Sequence, residues 1–400
     1  MENVIVACVQ QRMSIPPTHE EFEAEARRFL RQAQAKAARL TVFPELTGIM
    51  LAPPLISGLK LGFIKREDQG KRRGAGFLSR SLGSVAGTTA GALGGGFRGS
   101  LDRLLRKKGN LLRDAYLETF ARLAREFGTA IVGGSLYVYD EETGTNRNRA
   151  YIFDLDGQVL GYQDKLNLAP DERDLAAPGA DLPTFQTRFG RLGVLIGRDA
   201  LYPELARLQA MQGADLLVGI NACPGVAQGR VIRSALALRA EENQVFTAAS
   251  FLLGSNYLGQ DNREDLYGQS ALLGPVSLTP RGDGILIQSG TDRTEGLVAV
   301  ELNMTQLYDL RQESRFRPRQ EMNLGTLGPV LAEVYHNGLT IEQAIEQRIA
   351  GPAEPVPEPA IFEPVPVVEA AAPPPAPEPE AATPSVPEDL SSTSEDKPEA

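Results

Sequence analysis

The chain reads as an α/β layered sandwich. Apolar runs of strand length alternate with amphipathic helical stretches, and Asp156-Gly157 sits between two such runs as a hairpin signal. A hydrophobic content of 42% supports a sizeable core.

The elements follow in order. Val4–Val9 is a short apolar run, and the preceding residues lack the basic segment of a signal peptide. Thr18-His-Glu-Glu21 is a capping-box start for an amphipathic helix running to about Arg39. Leu40–Phe43 is a second strand, ending at Pro44-Glu45. Leu111–Phe127 reads as helix and Ala130–Val138 as a strand containing Gly133 and Gly134. Ala150–Leu155 and Val159–Gln163 flank the hairpin turn. Leu192–Ile196 and Leu216–Ile220 are strands separated by a helix over Glu204–Gln212. The first of these stops at Gly197, where Asp199 is placed to cap the helix carrying Tyr202, Pro203 and Glu204. A helix over Val231–Asn243 leads into a strand at Val245–Ser250.

Charge is unevenly spread. Residues 351–400 hold eleven acids against Lys397, together with fourteen of the 28 prolines. Such a segment buries too little apolar surface to offset its ordering entropy and reads as a disordered acidic tail. Residues 54–113 hold thirteen Lys or Arg against Glu67, Asp68 and Asp102. Two cysteines, Cys8 and Cys223, give no disulfide framework, and a reducing cytoplasm is the expected compartment. The dispersed cysteines and two histidines show no metal-ligand spacing, so no metal is expected.

Residues 54–109 read as a basic, glycine-rich insertion. Ser81–Phe97 is seventeen residues without a charge, with glycines at 83, 87, 91, 95 and 99 around it in a small-xxx-small pattern. As a helix it would span about 26 Å, slightly short of a bilayer core. Leu101, Leu104 and Leu105 then share one face of a short basic helix with Arg103, Arg106, Lys107 and Lys108, which reads as a membrane-surface element. A mobile loop is the plainer reading, because each glycine costs a helix about 1 kcal/mol relative to alanine. Docking on an anionic membrane or a partner stays open beside it. Nucleic acid is disfavoured: the patch is poor in aromatics and known motifs.

Three polar positions follow strands: Glu45, Lys165 and the Gly197 turn. Active sites of α/β sheets gather at strand carboxyl ends, so these converge in one pocket. A carboxylate beside a lysine can serve as base and electrostatic stabiliser for acyl transfer. The strand-to-helix turn at Gly197 is where many enzymes hold a nucleophile, and glycine has no side chain to supply one.

At these residues the chain resembles the nitrilase superfamily, the carbon-nitrogen hydrolases. Phe43-Pro44-Glu45 is similar to the block bearing the general-base glutamate. Lys165-Leu-Asn-Leu-Ala-Pro-Asp-Glu172, running on to Pro178-Gly179, is similar to the lysine block, and Gly193–Glu204 to the nucleophile block. Arg239-Ala-Glu-Glu-Asn-Gln244 and Gly268-Gln-Ser270 match downstream markers. The resemblance covers roughly 3–53 and 111–315. It implies a nitrilase-like α-β-β-α sandwich that usually dimerises and hydrolyses amides or nitriles through a cysteine thiolate, without a cofactor. Carried over, Glu45 is the base, Lys165 the stabiliser and Glu172 the second carboxylate. The cysteine would fall on Gly197, and Arg198 follows it as a cation able to fill the emptied pocket with Asn221 nearby.

Two functional readings follow. One is a degenerate hydrolase serving as a binding or scaffold subunit, holding an amide-like ligand or assembling as a homodimer or larger homo-oligomer. The other is a working hydrolase of small amides, nitriles or carbamoyl amines that uses Cys223, in Ile220-Asn-Ala-Cys-Pro224, or an activated water. Cysteine is commonly a small buried hydrophobe, which is the plainer role for Cys223 and for Cys8. The expected organisation is a hydrolase-like domain over 1–53 and 110–335, the insertion, a short helix over 336–350 and the tail.

Overall fold

The computed structural model describes residues 3–56, 96–259, 264–321 and 324–350. The expected glycine-rich stretch at 57–95 and the tail from 351 lie outside these residues.

Strand β1 (Val4–Arg12) is the central strand of a twelve-stranded sheet. Its first half pairs in parallel with β2 (Leu40–Val42), and its last residues pair with β9 (Phe246–Leu253). From β2 the sheet continues through β3 (Ala130–Asp140), β4 (Thr145–Phe153) and β5 (Val159–Asp164). From β9 it continues through β8 (Leu216–Ala222), β7 (Gly190–Ile196) and β6 (Thr184–Thr187). Off this path, β10 (Ala271–Leu273) pairs with β9 and with β11 (Ile285–Gln288), and β12 (Gly296–Leu302) pairs with β1.

Alternate residues along the strands enter different cores, which is why the runs read as continuously apolar. Val194 and Ile196 of β7 join Val6, Val42 and Val132 between the two halves of the sheet. Leu195 and Leu217 instead face α4 (Pro203–Met211) and α5 (Val226–Asn243). α1 (His19–Ala35) and α3 (Gly96–Phe127) cover the other half through Phe22, Phe29 and Phe120. The result is four layers, helix–sheet–sheet–helix, as the resemblance implies. Cys8 belongs to the inner core.

Several boundaries differ from expectation for identifiable reasons. The cap at Thr18 is present, accepting from Glu21 N–H at 3.2 Å. The helix stops at Ala35, not near Arg39, because Ala37 takes φ +55° and Ala38 N–H returns to Ala33 O at 3.0 Å, a Schellman-type ending. The short helix expected at 336–350 divides otherwise: α8 (Leu324–Asn337) ends before Gly338 at φ +63°, and α9 (Ile341–Ala350) follows.

The largest correction concerns the insertion. Helix α3 begins at Gly96, so residues 96–109 continue the domain instead of standing apart. Phe97, Leu101, Leu104 and Leu105 are buried in the same core as Tyr116 and Phe120. The apolar face assigned to a membrane surface is therefore spent on the protein's own interior. Among the described residues, no helix is long and apolar enough to cross a membrane.

Two outcomes test this packing. Leu101 has no exposed surface, so Leu101→Ala should cost about 2–5 kcal/mol in urea unfolding; a loss near zero would return the segment to the surface. Glu23 clasps α1 to α3, accepting from Arg122 at 2.8 Å and Arg27 at 2.6 Å. The Arg122 guanidinium, then Arg27, lowers its pKa from 4.5 to about 2. A depressed carboxylate stabilises the fold above its unfolded value and loses that contribution as pH falls through the folded one. The stability gap between wild type and Glu23→Gln should therefore close as pH falls from about 4.5 to 2; a gap constant with pH would contradict this.

Candidate active site

Glu45, Gly197 and Ala222 lie at the carboxyl ends of the strands β2, β7 and β8 of the parallel core of the sheet, and Lys165 follows β5. Each is aimed by local backbone. Leu46 is held at φ +65°, a conformation that costs a non-glycine residue about 1–2 kcal/mol. Its N–H donates to Ser135 Oγ at 3.0 Å. Gly134, at φ +72°, lies against the Pro44 carbonyl where any Cβ would collide. Lys165 is fixed at both backbone ends, donating N–H to Asn148 O and accepting from Gly179 N–H, each at 2.8 Å.

The three predicted residues meet. Lys165 Nζ donates to Glu45 Oε1 at 2.8 Å and to both oxygens of Glu172 at 2.7 and 2.8 Å. Lys165 and Glu45 are 4% and 1% exposed, so neither charge is shared with bulk water. Burial opposes the charge on Lys165, but the two carboxylates more than offset it and hold the ammonium above its ordinary value. Burial pushes the Glu45 carboxyl up, and Lys165 reverses only part of that. Glu45 is further saturated: Oε1 accepts from Asn148 Nδ2 at 3.0 Å and Oε2 from Ala222 N–H at 2.9 Å.

Position 197 points into this cluster. Gly197 has φ +54°, and a Cβ built on it would stand 2.7 Å from Glu45 Oε2 and 3.2 Å from Lys165 Nζ. Glycine meets both demands, the left-handed backbone and the crowded space.

Five contributors were not found from the sequence in these roles. Asp199 does not cap the following helix. Its buried carboxylate accepts from Leu166 N–H at 3.1 Å and from Asn167 N–H at 2.7 Å, pinning the Gly197 turn to the Lys165 loop. Burial raises its pKa, and these donors counter the rise. Asn148 and the Ala222 N–H hold Glu45. Arg98, at the start of α3, donates to the carbonyls of Asp171 and Leu258 and to Asp174, tying Glu172's loop down. Arg239 similarly reaches the carbonyls of Ala200 and Leu201 behind the turn.

Other expectations are corrected. Cys223 is fully buried among Ile232, Leu236 and Phe251. It makes no hydrogen bond to Glu45 or Lys165 among the described residues. Burial pushes its thiol up and the Glu45 charge pushes it further, so it is no thiolate. Arg198 is half-buried and bonds neither Glu45 nor Glu172, so it is not part of the cluster. Asn221 spends its amide nitrogen on Gly219 O and Ser250 O at 3.0 and 3.1 Å, contacts within the sheet, and its Oδ1 is buried with no donor among the described residues. Among the described residues no group of acidic, histidine or cysteine side chains is arranged to hold a metal.

The family profile of the carbon-nitrogen hydrolases matches residues 5–312. The chain belongs to that family. It is 30% identical over 224 residues to the probable hydrolase YhcX of Bacillus subtilis, a match covering 55% of this chain and 41% of that protein, less than half its length. It is 26% identical over 208 residues to human omega-amidase NIT2, covering 49% of this chain and 69% of that one. Among solved structures, Nit3 of Saccharomyces cerevisiae superposes with TM-score 0.55 at 22% identity, over 80% of this chain and 97% of that one. A carbon-nitrogen hydrolase of Helicobacter pylori gives TM-score 0.59 at 17% identity, over 82% and 98%. These likenesses carry the fold.

Within this family member, Lys165 is the keystone of the site. Lys165→Ala leaves two carboxylates buried against each other and should cost about 3–5 kcal/mol in chemical denaturation. Adding Glu45→Gln should recover part of it, and additive losses would show the pair to be uncoupled.

Proposed function

We propose that this chain is a carbon-nitrogen hydrolase that has lost its nucleophile and serves as a binding or scaffold subunit. The carrying observation is Gly197. Any side chain there would emerge between Glu45 and Lys165, where a nucleophile would need both its base and its electrostatic partner, and glycine presents none. In a serine-protease triad, loss of the nucleophile costs on the order of 10^6 in kcat, so no useful turnover follows from the remaining groups. A single-site mutant of an amidase of Nesterenkonia sharing this fold carries the acetamide moiety of fluoroacetamide added covalently at its active-site cysteine. A variant of that amidase altered at two positions is described in complex with acrylamide.

The retained glutamate–lysine–glutamate cluster supports binding of a small carboxamide, the class suggested by relatives named omega-amidases. A homodimer is supported by apolar side chains exposed on α4 and α5, including Leu208, Val231 and Leu238. A working enzyme based on Cys223 is not favoured, because that thiol is buried and protonated.

The test is ammonia release from a panel of short amides, nitriles and carbamoyl amines. Wild type should show none, and Gly197→Cys should gain turnover or accumulate a thioester visible by intact mass. Turnover by the wild type would overturn the reading.

A further inference from the structure

A second concave site lies apart from the Glu45–Lys165 cluster. It is a cleft of about 290 Å³ between the first two turns of α5, the 267–269 segment and the 290–292 segment. Two arginines line it, Arg230 and Arg233, three residues apart and so neighbours on one helix face. Arg230 is exposed and, among the described residues, has no hydrogen bond or ion pair. Arg233 is half-buried. One Nη donates to Gln288, but its Nε–H is buried with no acceptor. Burial pulls its pKa down, with Asp283 the one acidic group that counters this.

A guanidinium carries five N–H donors in a fixed fork, and a buried donor left without an acceptor is destabilising. Folded proteins satisfy nearly all such groups, and this unserved donor belongs to a side chain that lines the cleft. The carboxylate at the rim, Asp292, is partnered by Arg293 at 3.8 Å, and that guanidinium lies 5.5 Å from the Tyr267 ring centroid. Glu264 lies against Gly225 at the start of α5, so the case rests on the arginines and not on the helix terminus. Among the residues that line the cleft, Arg230 and Arg233 outnumber the one carboxylate, Asp292, which favours an anion.

We propose that this cleft binds a small organic phosphate ester, its phosphate gripped by Arg230 and Arg233 and its organic part lying on Tyr267. Two forks approaching from successive turns suit the three oxygens of a phosphate better than the two of a carboxylate, which one fork would satisfy. The cleft is larger than a bare phosphate needs and close to the lower size of small-molecule sites. Gly229 and Gly268 let the walls of the cleft pack closely: a Cβ on the first would press on the Tyr267 carbonyl at 2.6 Å, and one on the second would collide with the Phe251 ring.

Calorimetric titration of the full chain with ribose 5-phosphate, inorganic phosphate and succinate, at matched ionic strength, tests this. The phosphate ester should bind, inorganic phosphate should bind more weakly, and succinate should give no heat. Arg233→Gln and Arg230→Gln should each weaken the ester at least 10-fold and together abolish binding. Arg188→Gln, an exposed arginine on the β6–β7 turn, should leave it unchanged. Arg230 is at the surface, so Arg230→Gln decides the matter should Arg233→Gln not fold. No binding by wild type, equal binding of succinate, or full affinity in the folded variants would overturn the proposal.

Discussion

One buried ammonium organises the site. Lys165 is enclosed by protein, and its charge is tolerable there only because two carboxylates meet it at hydrogen-bond distance. Those carboxylates arrive from separate parts of the chain, Glu45 behind β2 and Glu172 in a 3-10 turn after Lys165. Holding them requires the strained Leu46, the close approach of Gly134 to Pro44, and the Asp199 carboxylate that ties the Gly197 turn to the lysine's loop. Removing Lys165 leaves two carboxylates buried against each other, so the cluster is costly to dismantle from that side.

Under the proposed loss of the nucleophile, that cost would hold the constellation in place. A nucleophile contributes little to folding, whereas the ion-paired cluster is part of the interior. At position 197 the backbone is left-handed and a Cβ would press on Glu45, so glycine is the residue of least strain. With glycine there, Glu45 is fully engaged by Lys165, Asn148 and the Ala222 N–H, and has no lone donor waiting for it to act on.

Much of this was legible in the sequence. Strand–helix alternation and the Asp156-Gly157 turn gave the layered sandwich, because hydrophobic period and turn chemistry are local properties. Glu45, Lys165 and Glu172 were found through the resemblance, since each sits in a recognisable block. Asn148 was not, because its partner Glu45 lies 103 residues away and nothing near Asn148 signals that contact. Asp199 was misread because an acid ahead of a helix has a ready local role, and only the fold shows the backbone N–H groups it serves instead. Residues 96–109 were misread for a related reason. Leucines at helical spacing with basic neighbours fit a lipid surface and a protein core equally well, and burial alone separates the two.

Under the proposed loss of the nucleophile, no residue of the native chain forms a covalent bond to an acyl group. Intact-mass measurement after incubation with short amides and activated esters, followed by acid quench and peptide mapping, tests it directly. An unmodified mass is the predicted result. An acyl adduct mapped to Cys223, or to any side chain around Lys165, would contradict it.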